Sequence, residues 1–121
     1  MILETGKIYY LAHPLTTFGD VYRNYESEED IASIINPYGE IGLIRPLECL
    51  PHVDSCDLEP ERIMEICFAL LRTADGIILC PGWEHSIGCQ EEAAYARHAG
   101  MDIIIYEDPY IAKFERLEAD A

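Results

Sequence analysis

"DGIILCPGWEHSIGCQEEAAYARHAGMDIIIY", residues 75–106, is the stretch of sequence that decides the fold. It opens with a short apolar run, 75–80, that predicts a buried strand, and it closes with a second such run, 102–106. Between them, residues 86–100 predict a helix that is rich in small side chains and ends at Gly100. A strand, a helix and a strand in this order are typical of a βαβ unit in a parallel sheet.

The rest of the chain repeats this alternation of strands and helices. The apolar pattern predicts, in chain order, strand 7–12, helix 19–36, strand 41–46 and helix 60–73. The proline-containing segment 46–60 predicts a polar loop, and the tail from Pro109 predicts a short helix. We therefore predict one domain over residues 1–121, a flavodoxin/Rossmann-like three-layer α/β sandwich with a parallel sheet of four to five strands.

The two further helices each have an apolar side. In helix 19–36 this side carries Val21, Tyr25, Ala32 and Ile35. In helix 60–73 the apolar residues form one continuous stripe, at Ile63, Ile66, Cys67, Leu70, Leu71 and Ala74.

The charge and the apolar pattern exclude some classes of partner. The chain has 23 acidic and 8 basic residues and a net charge of −15, which argues against a nucleic acid polymer as partner because phosphates need a basic surface. No apolar run approaches the length of about 18 residues that a membrane span requires. The N-terminus lacks the pattern of a signal peptide, so we expect a cytoplasmic protein.

The five cysteines predict reduced thiols, because their number is odd and no signal peptide precedes them. Cys49, His52 and Cys56 could offer three ligands to zinc, but the pattern lacks a clear fourth ligand. An ordinary loop is the favoured interpretation, and a zinc-stabilised module stays as a weaker alternative. We predict no metal site and no cofactor.

The predicted helix 86–100 contains two adjacent glutamates that fall on different sides. Its small residues form a narrow strip: Ala93, Ala96 and Gly100 all lie within about 40° of Cys89. Relative to Cys89, Glu91 lies at about 200° and Glu92 at about −60°, one turn after Gly88. We expect Glu91 to be solvated. Glu92 should be half-buried, point into the space beside Gly88 and face the carboxyl ends of the strands, where such sheets bind ligands. The alternative for Glu92 is a surface carboxylate stabilised by the helix dipole.

The pattern Ser86-x-Gly88-x-x-x-Glu92 after strand 75–80 resembles the nucleoside 2-deoxyribosyltransferase superfamily, particularly its short bacterial and archaeal branch with "PGWE-S-G---E". The related nucleotide N-glycoside hydrolases also have a serine two residues before the glycine. Further segments resemble the family in order, namely "KIYYLAHPL", "YRNYESEEDIASII", "LLRTADGIIL" and "GMDIIIY". The resemblance covers most of residues 7–106.

The resemblance implies a role for each of several residues. Glu92 would be the nucleophile that traps the sugar, as in retaining glycosidases, and Tyr10 would orient its carboxylate. Asp75 would contact the sugar or the base, so Glu92, Asp75 and Tyr10 should converge at the carboxyl edge of the sheet. Ser86 and the helix amides around Gly88 would hold a 5′-hydroxyl or a phosphate.

Two more residues of the same edge are candidates for substrate binding. His13 stands where many members of the family have glycine and would add an acid–base group, while Trp83 could stack on a base. Each candidate also has a structural alternative, since Asp75 could cap a turn, Ser86 could be only a helix N-cap, and Tyr10 could belong to the core.

We therefore expect cleavage or transfer of the N-glycosidic bond of a nucleoside or nucleotide through a covalent glycosyl-glutamate intermediate. The alternative is a non-catalytic nucleotide-binding or interaction domain on the same fold. The resemblance also implies a homodimer or higher homo-oligomer, in which the loop 106–109 of a neighbouring subunit closes the pocket.

Overall fold

The computed structural model describes residues 3–14, 21–35, 40–49, 59–106 and 114–117. The elements are, in chain order, β1 (Ile8–Ala12), α1 (Val21–Ile35), β2 (Gly42–Ile44), α2 (Pro46–Cys49), α3 (Pro60–Leu71), β3 (Gly76–Leu79), a 3₁₀ turn (Trp83–His85), α4 (Ile87–His98), β4 (Asp102–Tyr106) and β5 (Phe114–Leu117).

The strands form one sheet in the order β2-β1-β3-β4-β5. The first four strands are parallel, and β5 pairs with β4 in the antiparallel direction. This is the flavodoxin-like strand order 2-1-3-4-5, so the predicted α/β fold class is confirmed. The chain leaves β1 toward β2 on one side and returns to β3 on the other, and ligands in such sheets bind beside the carboxyl strand ends at this reversal.

Alternating side chains of β1 separate the two faces of the sheet, since successive residues of a strand point to opposite sides. Tyr10 and Ala12 pack in a buried cluster with residues of α3 and α4. Tyr9 and Leu11 pack in a second cluster with residues of α1, among them Ile31. The helices therefore cover both faces of the sheet, as a three-layer sandwich requires.

α4 packs closely against β3 and β4. Its small residues Cys89, Ala93 and Ala96 are buried, as the strip in the sequence predicts. Ser86 is the N-cap, because its Oγ accepts a hydrogen bond from Cys89 N at 3.2 Å. Gly100 is exposed and has φ +74°, a left-handed conformation that suits glycine after a helix.

Two predicted elements at the ends of strands are wrong. The predicted loop 46–60 begins with α2, a single helical turn that starts at Pro46, where the fixed φ of proline favours helix. A short helix was expected in the tail from Pro109, but the described part of the tail, residues 114–117, is the strand β5. It pairs with β4 and covers an edge that would otherwise present unpaired backbone groups.

The buried side of α1 also differs from the prediction. Ile35 is buried as expected, whereas Tyr25 and Ala32 are only partly buried. Among residues 23–35, the buried side chains are those of Asn24, Glu28, Ile31 and Ile35; the side chain of the predicted Val21 lies outside the described part. The true inner face therefore includes an asparagine and a glutamate, which an apolar pattern does not select.

The stripe predicted for α3 is confirmed at Cys67 and Leu71, which are buried. Ile66 is the exception, since 36% of it remains exposed. Within the described ranges, no helix combines the length and the apolar character that crossing a bilayer would require.

Candidate functional site

A cavity of about 630 Å³ opens at the carboxyl edge of the sheet, beside β1 and β2. Tyr10 and His13 reach it from β1, and Pro46 and Leu47 reach it from α2. Residues of α3 between 61 and 68 and residues 86–92 at the start of α4 form its remaining walls. The cavity therefore lies where the strand order reverses, as expected for a ligand site of this fold.

Glu92 and Tyr10 meet in the wall of this cavity. The hydroxyl of Tyr10 donates a hydrogen bond to Oε2 of Glu92. Only 5% of Glu92 is exposed, so the side chain is more buried than the half-buried state expected from its helix angle. Its carboxylate points to β1 and lines the cavity, and the pair predicted from the sequence is brought together.

Burial raises the pKa of Glu92 from its ordinary 4.5 to about 7, because a charged carboxylate loses its hydration there. The hydrogen bond from Tyr10 acts in the opposite direction, and the nearby charge of Glu91 raises the pKa slightly further. Burial, together with the Glu92 charge, also raises the pKa of Tyr10, so its hydroxyl stays protonated as a donor. A carboxylate with a pKa near neutrality is typical of functional sites.

Two thiols lie beside this pair. Cys67 of α3 lines the cavity and packs in the same buried cluster as Tyr10, and burial raises the pKa of its thiol to about 11. Burial raises the pKa of Cys89, which also lines the cavity, to about 12. Both groups are protonated at neutral pH and are weak nucleophiles, because the thiolate is the reactive form.

Ser86 and Gly88 line the cavity at the start of α4, as predicted. The Oγ of Ser86 already accepts the hydrogen bond that caps the helix. A Cβ placed on Gly88 would lie 3.2 Å from Sδ of Met64, so glycine allows α3 and α4 to approach closely here. The space beside Gly88 is occupied by Met64, and Glu92 turns toward Tyr10 rather than into that space.

His13 also lines the cavity but is held by two hydrogen bonds. Its Nδ1 lies 2.8 Å from the carbonyl oxygen of Pro14, and its Nε2 lies 2.9 Å from Oγ of Ser27. A carbonyl can only accept, so Nδ1 carries the proton and Nε2 accepts from the serine. Burial lowers the pKa of His13, so its imidazole is neutral at pH 7.

Asp75 lies at the other end of the strands, and its expected convergence with Glu92 is wrong. It immediately precedes β3, and its Oδ2 accepts a hydrogen bond from Ile8 N at 2.8 Å. Asp75 N donates in turn to Ile8 O at 2.7 Å. The carboxylate is exposed, does not line the cavity and caps the start of β1, because the residue opens a strand instead of closing one.

Trp83 and Glu91 differ in their relation to the cavity. Trp83 is partly buried against the core cluster on the α3 and α4 side and does not line the cavity, so the predicted stacking site is not formed by this residue. Glu91 is exposed, as its helix angle predicted, and it borders the mouth of the cavity.

The sequence did not identify the wall of the cavity on α3. Met64 and Phe68 line it and are partly buried. An apolar stripe on a helix is usually core, so nothing in the pattern separates lining residues from packing residues.

Glu28 is a second buried carboxylate that the sequence did not identify as important. It is fully buried, accepts a hydrogen bond from Leu47 N at 3.1 Å and lies 3.1 Å from Nε of Arg45. Burial raises its pKa to about 7, against the opposing effects of Leu47 N and Arg45. Glu28 thus ties α1 to the turn that carries Pro46 and Leu47 to the cavity.

Two predictions fall partly outside the described residues. Of the three residues considered as zinc ligands, Cys49 is exposed, while His52 and Cys56 lie outside the described ranges. The described residues contain no group of three or more metal-binding side chains. Of the loop expected to close a neighbouring subunit's pocket, Tyr106 is described and residues 107–109 are not.

Comparison with known proteins identifies a family without a known activity. A family model described as "Domain of unknown function (DUF4406)" matches residues 7–105. No curated protein and no solved structure matched the chain. The resemblance to nucleoside 2-deoxyribosyltransferases therefore stays a prediction.

Proposed function

We propose a function from the site itself, because the chain belongs to the DUF4406 family, a domain of unknown function. The proposed activity is cleavage or transfer of the N-glycosidic bond of a nucleoside or nucleotide. Glu92 is the nucleophile and forms a covalent ester with C1′ of the sugar. The enzyme contributes this carboxylate, its orientation and a cavity that shields the reacting centre from water.

The observation that carries the proposal is the Glu92–Tyr10 pair in the wall of a cavity of about 630 Å³. Cavities that bind small molecules typically have volumes of about 300–1,000 Å³, so a nucleoside fits in size. Only 5% of Glu92 is exposed, and burying a carboxylate costs free energy because the group loses its hydration. A functional role would account for this cost. Tyr10 binds one oxygen of Glu92, which fixes the direction of the carboxylate toward the ligand.

In the proposed reaction an oxygen of Glu92 bonds to C1′ as the bond from C1′ to the base nitrogen breaks. The electron pair of the broken bond leaves with the base, which takes up one proton from solvent; the water or second base that later attacks C1′ returns one proton to solvent. Water then attacks C1′ and releases the free sugar, or a second base attacks and gives a new nucleoside. Glu92 is regenerated in both cases, so hydrolysis and transfer differ only in the acceptor.

A second function is supported by the inner wall of the cavity. Tyr10, Cys67 and Cys89 line this part of the cavity together with Glu92 and are weak acids with raised pKa values. None of these is suited to protonate a departing base at pH 7. A nucleotide-binding domain without catalysis needs no such acid and is the alternative.

The test compares two adjacent carboxylates in the same helix. Glu92→Gln keeps the shape and the hydrogen bond from Tyr10 but cannot form the ester, so release of free base from a panel of nucleosides and nucleotides should fall to background. Glu91→Gln removes an equal charge from an exposed position at the cavity mouth and should stay within about tenfold of wild type.

A slow substrate extends this test to the covalent intermediate. With a nucleoside whose sugar carries an electron-withdrawing 2′ substituent, the peptide that contains Glu92 should gain one sugar mass. Turnover in Glu92→Gln, or a label on Glu91, contradicts the proposed nucleophile. Binding of the same compounds without any cleavage by the wild type favours the binding domain.

A further inference from the structure

The charge of the cavity restricts the ligand that it can hold. Four of its lining residues are carboxylates, at Glu61, Glu65, Glu91 and Glu92. No lysine or arginine occurs among the described residues that line it. Among the described residues, a phosphate group in this cavity would meet several like charges and no lysine or arginine, a combination that costs free energy.

The basic residues closest to this wall along the chain are engaged by acids. Arg62 of α3 lies 3.4 Å from Oε2 of Glu65, and Arg45 lies 3.1 Å from Oε1 of Glu28. Neither lines the cavity. The whole chain carries a net charge of −15, which attracts cations and repels anions over a longer range.

Much of the remaining wall is apolar and suits a flat ring. The apolar lining residues include Leu47, Ile63, Met64, Phe68 and Ile87. Thioethers and aromatic rings make favourable contacts with aromatic ligands, and the face of an aromatic ring also attracts a cation. The cavity thus combines apolar walls with exposed carboxylates at its mouth and the buried carboxylate of Glu92 deeper inside. This combination favours a ligand that is both aromatic and positively charged.

The inner wall also limits the kind of base that can leave. His13 has both ring nitrogens in hydrogen bonds, and the hydroxyl of Tyr10 donates a hydrogen bond to Glu92. Neither they nor the protonated thiols of Cys67 and Cys89 provide an acid matched to neutral pH. A base that already carries a positive charge leaves as a neutral molecule and needs no proton.

From these observations, and resting on the proposed function, we infer that the substrate is an unphosphorylated nucleoside whose base is a cationic N-alkylated heteroaromatic ring, such as a pyridinium or a 7-alkylpurinium. Its C1′–N bond breaks, and the electron pair goes to the ring nitrogen, which loses its positive charge. A Glu92 oxygen bonds to C1′ at the same time. Water later hydrolyses this ester, giving free sugar, the Glu92 carboxylate and one proton.

Binding of an unreactive pair of probes tests the charge preference without turnover. 1-Methylnicotinamide and nicotinamide differ by one methyl group and one positive charge, and neither has a sugar to lose. By calorimetric titration at low salt, the cation should bind at least about tenfold tighter, which corresponds to about 1.4 kcal/mol. The preference should shrink at high salt, because salt screens the exposed charges at the mouth of the cavity. It should also shrink in Glu61→Gln, because this substitution removes one of those charges.

Turnover of matched nucleosides tests the substrate class. The kcat/KM for nicotinamide riboside should exceed that for its 5′-monophosphate by at least about tenfold. The kcat/KM for 7-methylguanosine should exceed that for guanosine by a similar factor. Each rate is compared with that of Glu92→Gln, so that spontaneous decay of the cationic nucleosides is subtracted.

Several results overturn the inference and can be told apart from failure of the proposed function. Equal binding of the two nicotinamides, or faster cleavage of the monophosphate or of guanosine, contradicts the cationic class while Glu92-dependent cleavage stands. Tighter binding of the cation without Glu92-dependent cleavage of any nucleoside contradicts the proposed function, and with it the cationic nucleoside as a substrate.

Discussion

At the scale of single residues, the pKa of Glu92 determines the pH range in which it can act as a nucleophile. Burial raises this pKa to about 7, and the hydrogen bond from Tyr10 lowers it. In the proposed reaction only the ionised carboxylate attacks C1′, so the rate of base release should rise with pH through about 7 and level off above it.

Tyr10→Phe should move this profile to higher pH. The substitution removes the hydrogen bond that favours the charged carboxylate, so the midpoint rises and the rate at pH 7 falls about tenfold. The measurement is kcat against pH for both proteins. Tyr9→Phe is the matched control, because the Tyr9 hydroxyl accepts from Glu4 N on the opposite side of the sheet. An unchanged midpoint in Tyr10→Phe, or an equal shift in Tyr9→Phe, contradicts the role of Tyr10.

Helix angles were sufficient to separate Glu92 from Glu91, because α4 is regular and its small residues mark the buried side. They could not place Asp75. A residue between a helix and a strand stands at the amino end of that strand, and the family resemblance placed it at the carboxyl end with the other candidates. Glu28 had a detectable signal: it lies three and seven residues before the buried Ile31 and Ile35, so an acid falls within an apolar face.

At the scale of elements, segments with a local apolar pattern were predictable, and segments that depend on tertiary contacts were not. β1, α3, β3, α4 and β4 follow from local apolar patterns, because each buries a continuous side chain face. The single turn of α2 depends on a tertiary contact, the hydrogen bond from Leu47 N to Glu28. β5 depends on pairing with an edge strand formed earlier in the chain, which a local pattern does not contain.

Ser86 both caps α4 and lines the cavity. Measurements of stability and of KM separate its role as a cap from a role in binding the ligand. Ser86→Ala removes the hydrogen bond to Cys89 N and should lower the free energy of unfolding by about 1 kcal/mol. Ser86→Thr should restore most of it, because threonine also caps helices. If Ser86 acts only as a cap, denaturant unfolding changes and KM does not. A KM raised in Ser86→Ala and restored in Ser86→Thr indicates contact with the ligand, whereas unchanged stability in Ser86→Ala contradicts the cap.

At the scale of the whole molecule, excess negative charge and buried carboxylates act on stability in the same direction. The net charge of −15 repels itself in the compact state. Glu28 and Glu92 are both buried with pKa values raised to about 7. Leu47 N and Arg45 partly offset the cost of a charged Glu28, and Tyr10 partly offsets that of a charged Glu92. Burial outweighs both effects, so ionisation of either carboxyl lowers the stability of the fold as the pH rises through about 7.

This cost predicts that the protein loses stability as the pH rises, in contrast to proteins whose carboxylates form strong ion pairs. Between its ordinary pKa of 4.5 and its folded pKa of about 7, the Glu92 carboxyl holds more protons in the folded than in the unfolded chain. The free energy of unfolding therefore decreases with pH in this window: the stabilising contribution is complete below 4.5 and is lost through about 7. For Glu92 the loss is on the order of 3 kcal/mol, since one pKa unit corresponds to about 1.4 kcal/mol.

Thermal unfolding of three proteins between about pH 5 and about pH 8 measures this loss. The wild type should melt several degrees lower at the upper end of this range. Glu92→Gln cannot ionise at this position, so it should lose less and should be more stable than the wild type at about pH 8. Glu91→Gln removes the same charge from an exposed neighbour, which reproduces the change in net charge without relieving a buried carboxylate. If both variants change the pH dependence of the melting temperature equally, net charge alone explains that dependence. If only Glu92→Gln makes the melting temperature less dependent on pH, the buried carboxylate of Glu92 is what destabilises the wild-type fold as the pH rises.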